Sequence, residues 1–242
     1  MISSVSISVG IRYAFSRRST ISFISLIAIA GLALSVAVLV VVVSVINGFE
    51  RELEARVFGV LPHLSFVGRE PMEPTPEDLE SLLGVDGVEG VAPFIQGAGL
   101  VAVADRVSGV LINGINPGSY QHISLIREFV HGELPAVAGN YDVVLGAGVA
   151  KQLHAAVGDM VTLVLPSATV TPAGLFPRQK RFTVSGILES RSEVDSRGVY
   201  IHVGDAQRLF RLGDRVHGYQ VRLKDLFSAS QIASLGVARL GG

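Results

Sequence analysis

Residues Ile21 to Ile46 read ISFISLIAIAGLALSVAVLVVVVSVI, and the fold turns on how this stretch is read. It lies inside a run of 31 residues, Ser19 to Phe49, that holds no charged side chain. A membrane-crossing helix needs about 20 apolar residues to span about 30 Å of hydrocarbon, so the run is long enough. A cleaved signal peptide carries an apolar region of about 7–15 residues followed by a small-x-small site, and this run is far longer. A buried core helix is the third possibility. We read a retained transmembrane helix. Arg12, Arg17 and Arg18 precede it with no acid beside them. Positive residues stay on the cytoplasmic side, so the N-terminus is expected inside and the residues after about 49 outside the cytoplasm.

The helical pattern continues past the apolar run. Phe49, Leu53 and Val57 recur every four positions, with Glu50, Arg51, Glu52, Glu54 and Arg56 on the other faces. Gly59 and Pro62 are the expected stop signals. The pattern fits either a helix that simply leaves the membrane or a stiff lever coupled to the rest of the chain.

The remaining sequence has the length of a domain with a sizeable core. Apolar residues are 49% of the 242-residue chain and charged residues 17%, with a net charge of −1. Residues 1–49 carry +3, so the rest carries −4. Without a basic face on that part, a nucleic-acid binder is not expected. There are no cysteines, which excludes disulfides and thiolate metal sites.

Glu70 to Thr75 reads as a proline-rich turn. Thr75-Pro76-Glu77-Asp78 then opens a helix, with Thr as N-cap and Pro at the first position, burying Leu79, Leu82 and Leu83. Strands are expected over Val88–Ile95, Leu100–Ala104 and Val107–Ile112, the last ending in a turn at Asn113-Gly114. Further strands are expected over Tyr141–Leu145, Val161–Leu165, Phe182–Leu188, Val199–Val203 and Gly218–Leu223, with helices through Leu153 and over Asp205–Leu212. Strands with short interspersed helices, without regular βαβ alternation, predict an α+β fold.

Signals for catalysis are weak. Gly146-Ala147-Gly148-Val149-Ala150-Lys151 lacks the third glycine of a dinucleotide fingerprint and no acid follows about 20 residues on. No Walker A loop, HExxH or G-x-S-x-G elbow occurs, and the six histidines are scattered. Asp195-Ser196-Arg197 reads as a solvated turn. No enzyme, metal site or cofactor is expected.

The stretch Leu165 to Arg181, LPSATVTPAGLFPRQKR, stands apart. A connection between neighbouring strands usually takes about two to five residues, and this one takes about fifteen. Its three prolines argue against disorder, because each fixes its own φ and pushes the preceding residue toward an extended backbone. Arg178, Lys180 and Arg181 supply a local +3, with no acid between Asp159 and Glu189. Such a charge could steer an acidic partner.

Two stretches resemble a known family. Ser44-Val45-Ile46-Asn47-Gly48-Phe49-Glu50-Arg51-Glu52-Leu53, continuing to Gly59-Val60-Leu61-Pro62-His63, is similar to the first membrane helix and its exit in LolC and LolE. These are permease subunits of the bacterial lipoprotein-releasing ABC transporter, relatives of MacB and FtsX. Pro166-Ser167-Ala168 followed by Thr171-Pro172-x-Gly174-x-x-Pro177-x-Gln179 resembles the hook of LolC-type chains, a protruding hairpin that grips a periplasmic carrier. The resemblance runs from about Ile7 to Ser228.

It implies an α+β chain with one N-terminal transmembrane helix (1–48) and a MacB-like mixed α/β periplasmic domain (49–242) bearing a β-hairpin hook at about 166–180. Pro172, Leu175, Phe176 and Pro177 would form the carrier-binding hook. Gln179, Lys180 and Arg181 would form a polar, basic pad at its base, where the neighbouring Arg178 leaves open which cation plays the part. Ile46 and Phe49 would lie at the outer mouth of the lipoprotein cavity. The implied partners are a LolD-like ATPase, a LolE-like second permease subunit, a LolA-like carrier and the lipoprotein substrate. Family members continue into further spans, so the chain is expected to be a fragment or a truncated reading frame. A MacB- or FtsX-like mechanotransmission subunit with another periplasmic partner is the alternative, and a single-span anchored periplasmic enzyme a third reading.

Overall fold

A computed structural model describes residues 20–53, 62–171, 174–190 and 194–239. The chain divides into two compact units, 1–53 and 54–242. The first is helix α1, Thr20–Leu53. Its 34 residues extend about 51 Å at 1.5 Å per residue. Residues Phe23–Phe49 are long and apolar enough to cross a membrane, and none of that stretch is buried against protein. The Ser35 hydroxyl donates to the Gly31 carbonyl one turn back (2.9 Å), so even this polar group is satisfied within the helix. The arginines at 12, 17 and 18 and the helical continuation over Glu54–Val57, with its stop at Gly59, lie outside the described residues.

The second unit contains β1 (Leu64–Met72), α2 (Pro76–Leu83), β2 (Val88–Val103), β3 (Arg106–Ile115), α3 (Pro117–Tyr120), β4 (Val130–Gly132), β5 (Asp142–Gly146) and α4 (Ala147–Leu153). After these come β6 (Met160–Thr171), β7 (Gly174–Leu188), α5 (Val194–Arg197), β8 (Gly198–His202), α6 (Val203–Phe210), β9 (Val216–Leu223) and α7 (Ala229–Arg239). The mixture of strands and short helices bears out the α+β expectation.

The pairings close a ring. β2 runs antiparallel to β3, β3 parallel to β8, β8 antiparallel to β5 and β5 parallel to β7. β7 then runs antiparallel to β6, and β6 returns to β2 at Leu100–Ala102. Alternate residues of a barrel strand point inward. Val101, Val110, Ile112, Val143, Leu145, Leu163, Phe182, Val184, Val199 and Ile201 accordingly form one buried cluster, joined by Val149 and Leu153 of α4 and by Ala206 and Leu209 of α6. Closure leaves these six strands without a free edge where they meet.

Two smaller layers surround the ring. The first half of β2 pairs with β9, and β9 with β1, in an antiparallel extension. On it Leu82 of α2 and Ile232 of α7 pack with Phe66, Tyr219, Val221 and Leu223. On the outer surface, Tyr120, Ile123 and Ile126 cover Ala92, Ile115, Val144, Leu188 and Tyr200.

Several expectations need correction. The two strands expected at Val88–Ile95 and Leu100–Ala104 are one, β2, because the glycines between them are packing sites and not breaks. A Cβ on Gly97 would meet the Phe210 ring at 2.4 Å, and one on Gly99 would meet Ile112 Cδ1 at 2.6 Å. Asn113-Gly114 is no turn either. β3 runs through it to Ile115, and Gly114 gives room to α6, where its Cβ would stand 2.4 Å from Ala206 Cβ. β1 reaches Met72, so the proline turn shrinks to its last residues, and Pro71 sits on a strand whose outer edge is unpaired among the described residues, where a missing N–H costs little. Asp195-Ser196-Arg197 belongs to a helical turn.

The helix expected at Asp205–Leu212 begins at Val203, since His202 caps it by accepting from Gly204 N through Nδ1 (3.0 Å). It ends at Phe210, before Arg211 at φ 59°. Burial pushes the His202 pKa down, with Asp205 opposing. Leu83 is 48% exposed, whereas Leu82 is buried. Helix α7, Ala229–Arg239, is an element beyond the sequence expectations.

The Thr75 cap forms as expected, with Oγ1 accepting from Asp78 N at 3.1 Å. It is tied to β9 as well. The Tyr219 hydroxyl donates to Asp78 Oδ2 (2.9 Å) and accepts from Thr75 N (3.2 Å). Burial, then the hydrogen bond to Asp78, pushes the Tyr219 pKa up to about 12. The folded state therefore holds this proton more tightly than the unfolded state, whose tyrosine titrates near 10. The resulting stability is present below about pH 10 and lost as pH rises toward 12. We expect the melting temperature to fall more steeply over that window than in Tyr219→Phe, as followed by circular dichroism.

Candidate functional site: a hairpin rooted in a closed barrel

The stretch Leu165–Arg181, a long proline-stiffened connection by its spacing and a hairpin hook by the resemblance, is the end of a β-hairpin. β6 and β7 pair from Met160↔Thr183 to Leu165↔Arg178, and pairing resumes after a bulge at Ala168↔Pro177 and continues to Thr171↔Gly174. Two residues, Pro166 and Ser167, are extra on β6. A bulge is where a strand accommodates proline, because a ladder hydrogen bond is already absent there. The lower part of β6 also pairs with β2, and the lower part of β7 with β5. Beyond the bulge, 168–171 and 174–177 pair only with each other among the described residues. The hairpin thus grows out of a closed barrel, so its base is held from both sides.

Leu175 and Phe176 pair through their backbones with Val170 and Thr169, and Pro177 is exposed. Pro172 lies outside the described residues. In the pad, strand alternation separates the three residues. Gln179 and Arg181 are both exposed and share the outer face of β7. Lys180 is on the other face, with Nζ 3.9 Å from the centre of the Tyr141 ring. That ring in turn meets Phe182 edge-on at 5.5 Å. Arg178 shares the Lys180 face, and its Nη1 donates to the Phe210 carbonyl at the end of α6 (3.0 Å). Arg178 Nε is buried with no hydrogen-bond partner among the described residues. Arg178 ties the hairpin to the barrel and Lys180, itself exposed, lies over Tyr141, while Arg181 stands on the outer face of β7. The periodicity of β7 was readable, but the partners Tyr141 and Phe210 were not.

On α1, Ile46 is 57% and Phe49 64% exposed. Among the described residues no cluster of His, Asp or Glu is arranged to hold a metal.

The model of the MacB-like periplasmic core domain matches residues 25–235. The chain belongs to this family. Within the MacB-like family its relatives include the lipoprotein-releasing system transmembrane protein LolC of Neisseria meningitidis serogroup B. That protein is 36% identical over 230 residues, covering 90% of this chain and 54% of the relative. LolC of Xylella fastidiosa (strain Temecula1) is 32% identical, covering 100% of this chain and 60% of the relative. LolE of Haemophilus influenzae is 30% identical over 84% of this chain and 50% of its own length. The resemblance to the LolC/LolE family is borne out, and the chain spans roughly half to three fifths of the length of these relatives. Among solved structures, the extracellular domain of the ABC-type transporter YknZ from Gram-positive bacteria is 18% identical. It covers 73% of this chain and 89% of its own, with a TM-score of 0.44.

Proposed function

We propose that this MacB-like chain is a membrane subunit of a lipoprotein-releasing ABC transporter and that its β6–β7 hairpin receives a periplasmic lipoprotein carrier. The observation that carries the reading is the hairpin itself, a proline-stiffened arm anchored in a closed barrel and bearing an outward cation. The names of its LolC and LolE relatives supply the system. In this reading α1 crosses the inner membrane with the N-terminus cytoplasmic, residues 1–48 form the anchor, and 49–242 lie in the periplasm. The chain itself does not catalyse. A separate LolD-like ATPase hydrolyses ATP, a LolE-like subunit completes the membrane part, and a LolA-like carrier takes the lipoprotein. Ile46 and Phe49 sit at the mouth of the lipoprotein cavity. No cofactor is required.

Preorganisation explains the arm. A partner that docks on a floppy loop must order it, at a cost of about 0.5–1.5 kcal/mol per side chain, and a hairpin already paired and proline-stiffened avoids part of that. Pro172, Leu175, Phe176 and Pro177 form the gripping tip. Gln179 and Arg181 present the outward pad, with Lys180 positioning it from the opposite face.

The test is capture of a purified LolA-type carrier by the detergent-solubilised chain. Saturable binding supports the reading, and no binding favours the MacB- or FtsX-like mechanotransmission alternative. Arg181→Glu is expected to slow association about fivefold to tenfold at low salt, with the difference vanishing near 0.5 M salt. Surface plasmon resonance at several ionic strengths checks this.

A further inference from the structure

Outside the hairpin, the outer surface of the barrel carries a groove that the carrier reading does not use. Two hollows, of about 460 and 640 Å³, meet at Leu111 and Arg197. The floor follows from register. Gln96 of β2 faces Asn113 of β3, Ala98 faces Leu111, and Leu100 faces Gly109, so these side chains share the outer face. Asn113 is beside Tyr200 of β8. The segment 117–129 covers the neighbouring part of this face, and its Tyr120 forms one wall of the groove.

Three features point to a ligand. First, Gln220 lines the groove and is only 6% exposed, yet its carboxamide has no hydrogen-bond partner among the described residues. The side chain is held in place by its surroundings while its carboxamide opens onto the groove, free to pair with what enters it. Nearby, Gln96 Nε2 donates to Asn113 Oδ1 (2.9 Å) and Asn113 Nδ2 donates to the Leu111 carbonyl (3.1 Å), which leaves Gln96 Oε1 without a partner among the described residues. Second, Gly109 sits in mid-strand in an extended backbone, and a Cβ built there meets nothing within 4 Å. Neither packing nor a positive φ requires glycine at this position. A strand glycine facing open space is suited to close approach by another backbone. Third, Arg197, where the hollows meet, is exposed and has no ion-pair or hydrogen-bond partner among the described residues.

The chemistry of the lining selects the ligand. Carboxamides offer a donor and an acceptor together, which matches the alternating N–H and C=O of an extended peptide. Leu111 and Leu100, 40% and 44% exposed, supply an apolar strip beside them. Arg197 adds a positive charge, the one cation among the described lining residues, suited to a carboxylate. We propose that this groove binds an extended polypeptide segment carrying an acidic residue.

Two substitutions separate binding from folding. Gly109→Val places a β-favouring side chain in open space, so the fold is expected to hold or gain stability. Gln220→Leu removes the unpaired carboxamide and should likewise not destabilise. The probe is a pool of fluorescein-labelled decapeptides with a central Asp and random flanks, titrated with the detergent-solubilised chain and read by anisotropy. A second pool carries Asn at the centre. We expect saturable binding of the Asp pool, weakened at least about tenfold by Gly109→Val and by Gln220→Leu with the melting temperature unchanged or raised. Arg197→Ala should weaken the Asp pool about fivefold to tenfold and leave the Asn pool unaffected. Carrier capture by the hairpin should be unchanged in all three variants, so this groove and the hairpin fail or succeed separately. Absence of saturable binding by the wild-type chain overturns the proposal, as does binding indifferent to Gly109→Val and Gln220→Leu.

Discussion

Replacing Leu175 and Phe176 together with aspartate is expected to abolish carrier capture while leaving the fold intact. Both residues lie beyond the bulge, where the two strands of the hairpin pair only with each other among the described residues. The stability cost should therefore be small. The binding cost should be large, because apolar and aromatic anchors at the centre of an interface commonly contribute about 2–4 kcal/mol each. Loss of two such anchors raises Kd by more than about a hundredfold. Isothermal titration with purified carrier measures the loss, and circular dichroism with thermal melting shows whether the fold survives. Phe176→Asp alone should give an intermediate value; undiminished binding in the double variant would remove the hairpin from the account.

The second large effect is at the root of the barrel. Gly114→Ala puts a methyl group 2.4 Å from Ala206 Cβ and 3.2 Å from Ile95 Cβ. Real carbons do not approach that closely, so α6 must lift off β3. Overpacking of a tight core typically costs about 1–3 kcal/mol, and here the close neighbours are two Cβ atoms, which cannot swing away. We expect a loss of about 3 kcal/mol, which in a domain of this size lowers the melting temperature by about 6–12 °C. Ala206→Gly in the same chain removes the opposing methyl and should recover more than half of that. The recovery matters because it distinguishes a local clash from a general intolerance of change at position 114.

That same glycine shows where sequence reasoning stopped. Asn-Gly between apolar stretches is a strong hairpin signal, because both residues tolerate a positive φ. Here the glycine is needed for the absence of a side chain, not for its φ, and nothing local in the sequence distinguishes the two uses. Gly97 and Gly99 misled in the same way, dividing one 16-residue strand into two. The transmembrane helix, the Thr75 cap and the alternation of β7 were legible, since each rests on local composition or period-2 patterning. The ring closure was not legible. It depends on β6 returning to β2 across about sixty residues of chain, and pairing of that kind leaves no mark in either strand alone.

For the candidate site, the sequence marked out the stretch 165–181 and its charge but not the division of labour inside it. Lys180 and Arg178 look equivalent to Arg181 in a list of cations. Only the barrel shows that one lies on Tyr141 and another is tied to the Phe210 carbonyl, leaving Arg181 outward. The groove around Gln220 had no sequence signature, because Gln96, Asn113, Gln220 and Arg197 come from four separate elements.

The central claim is that the hairpin tip touches the carrier. Site-specific photocrosslinking tests it most directly, with p-benzoylphenylalanine placed at position 176 and, as a control, at Val107 on the outer face of the barrel. The account predicts a crosslink to a LolA-type carrier from position 176 and none from 107. A crosslink from 107 with none from 176 would contradict it.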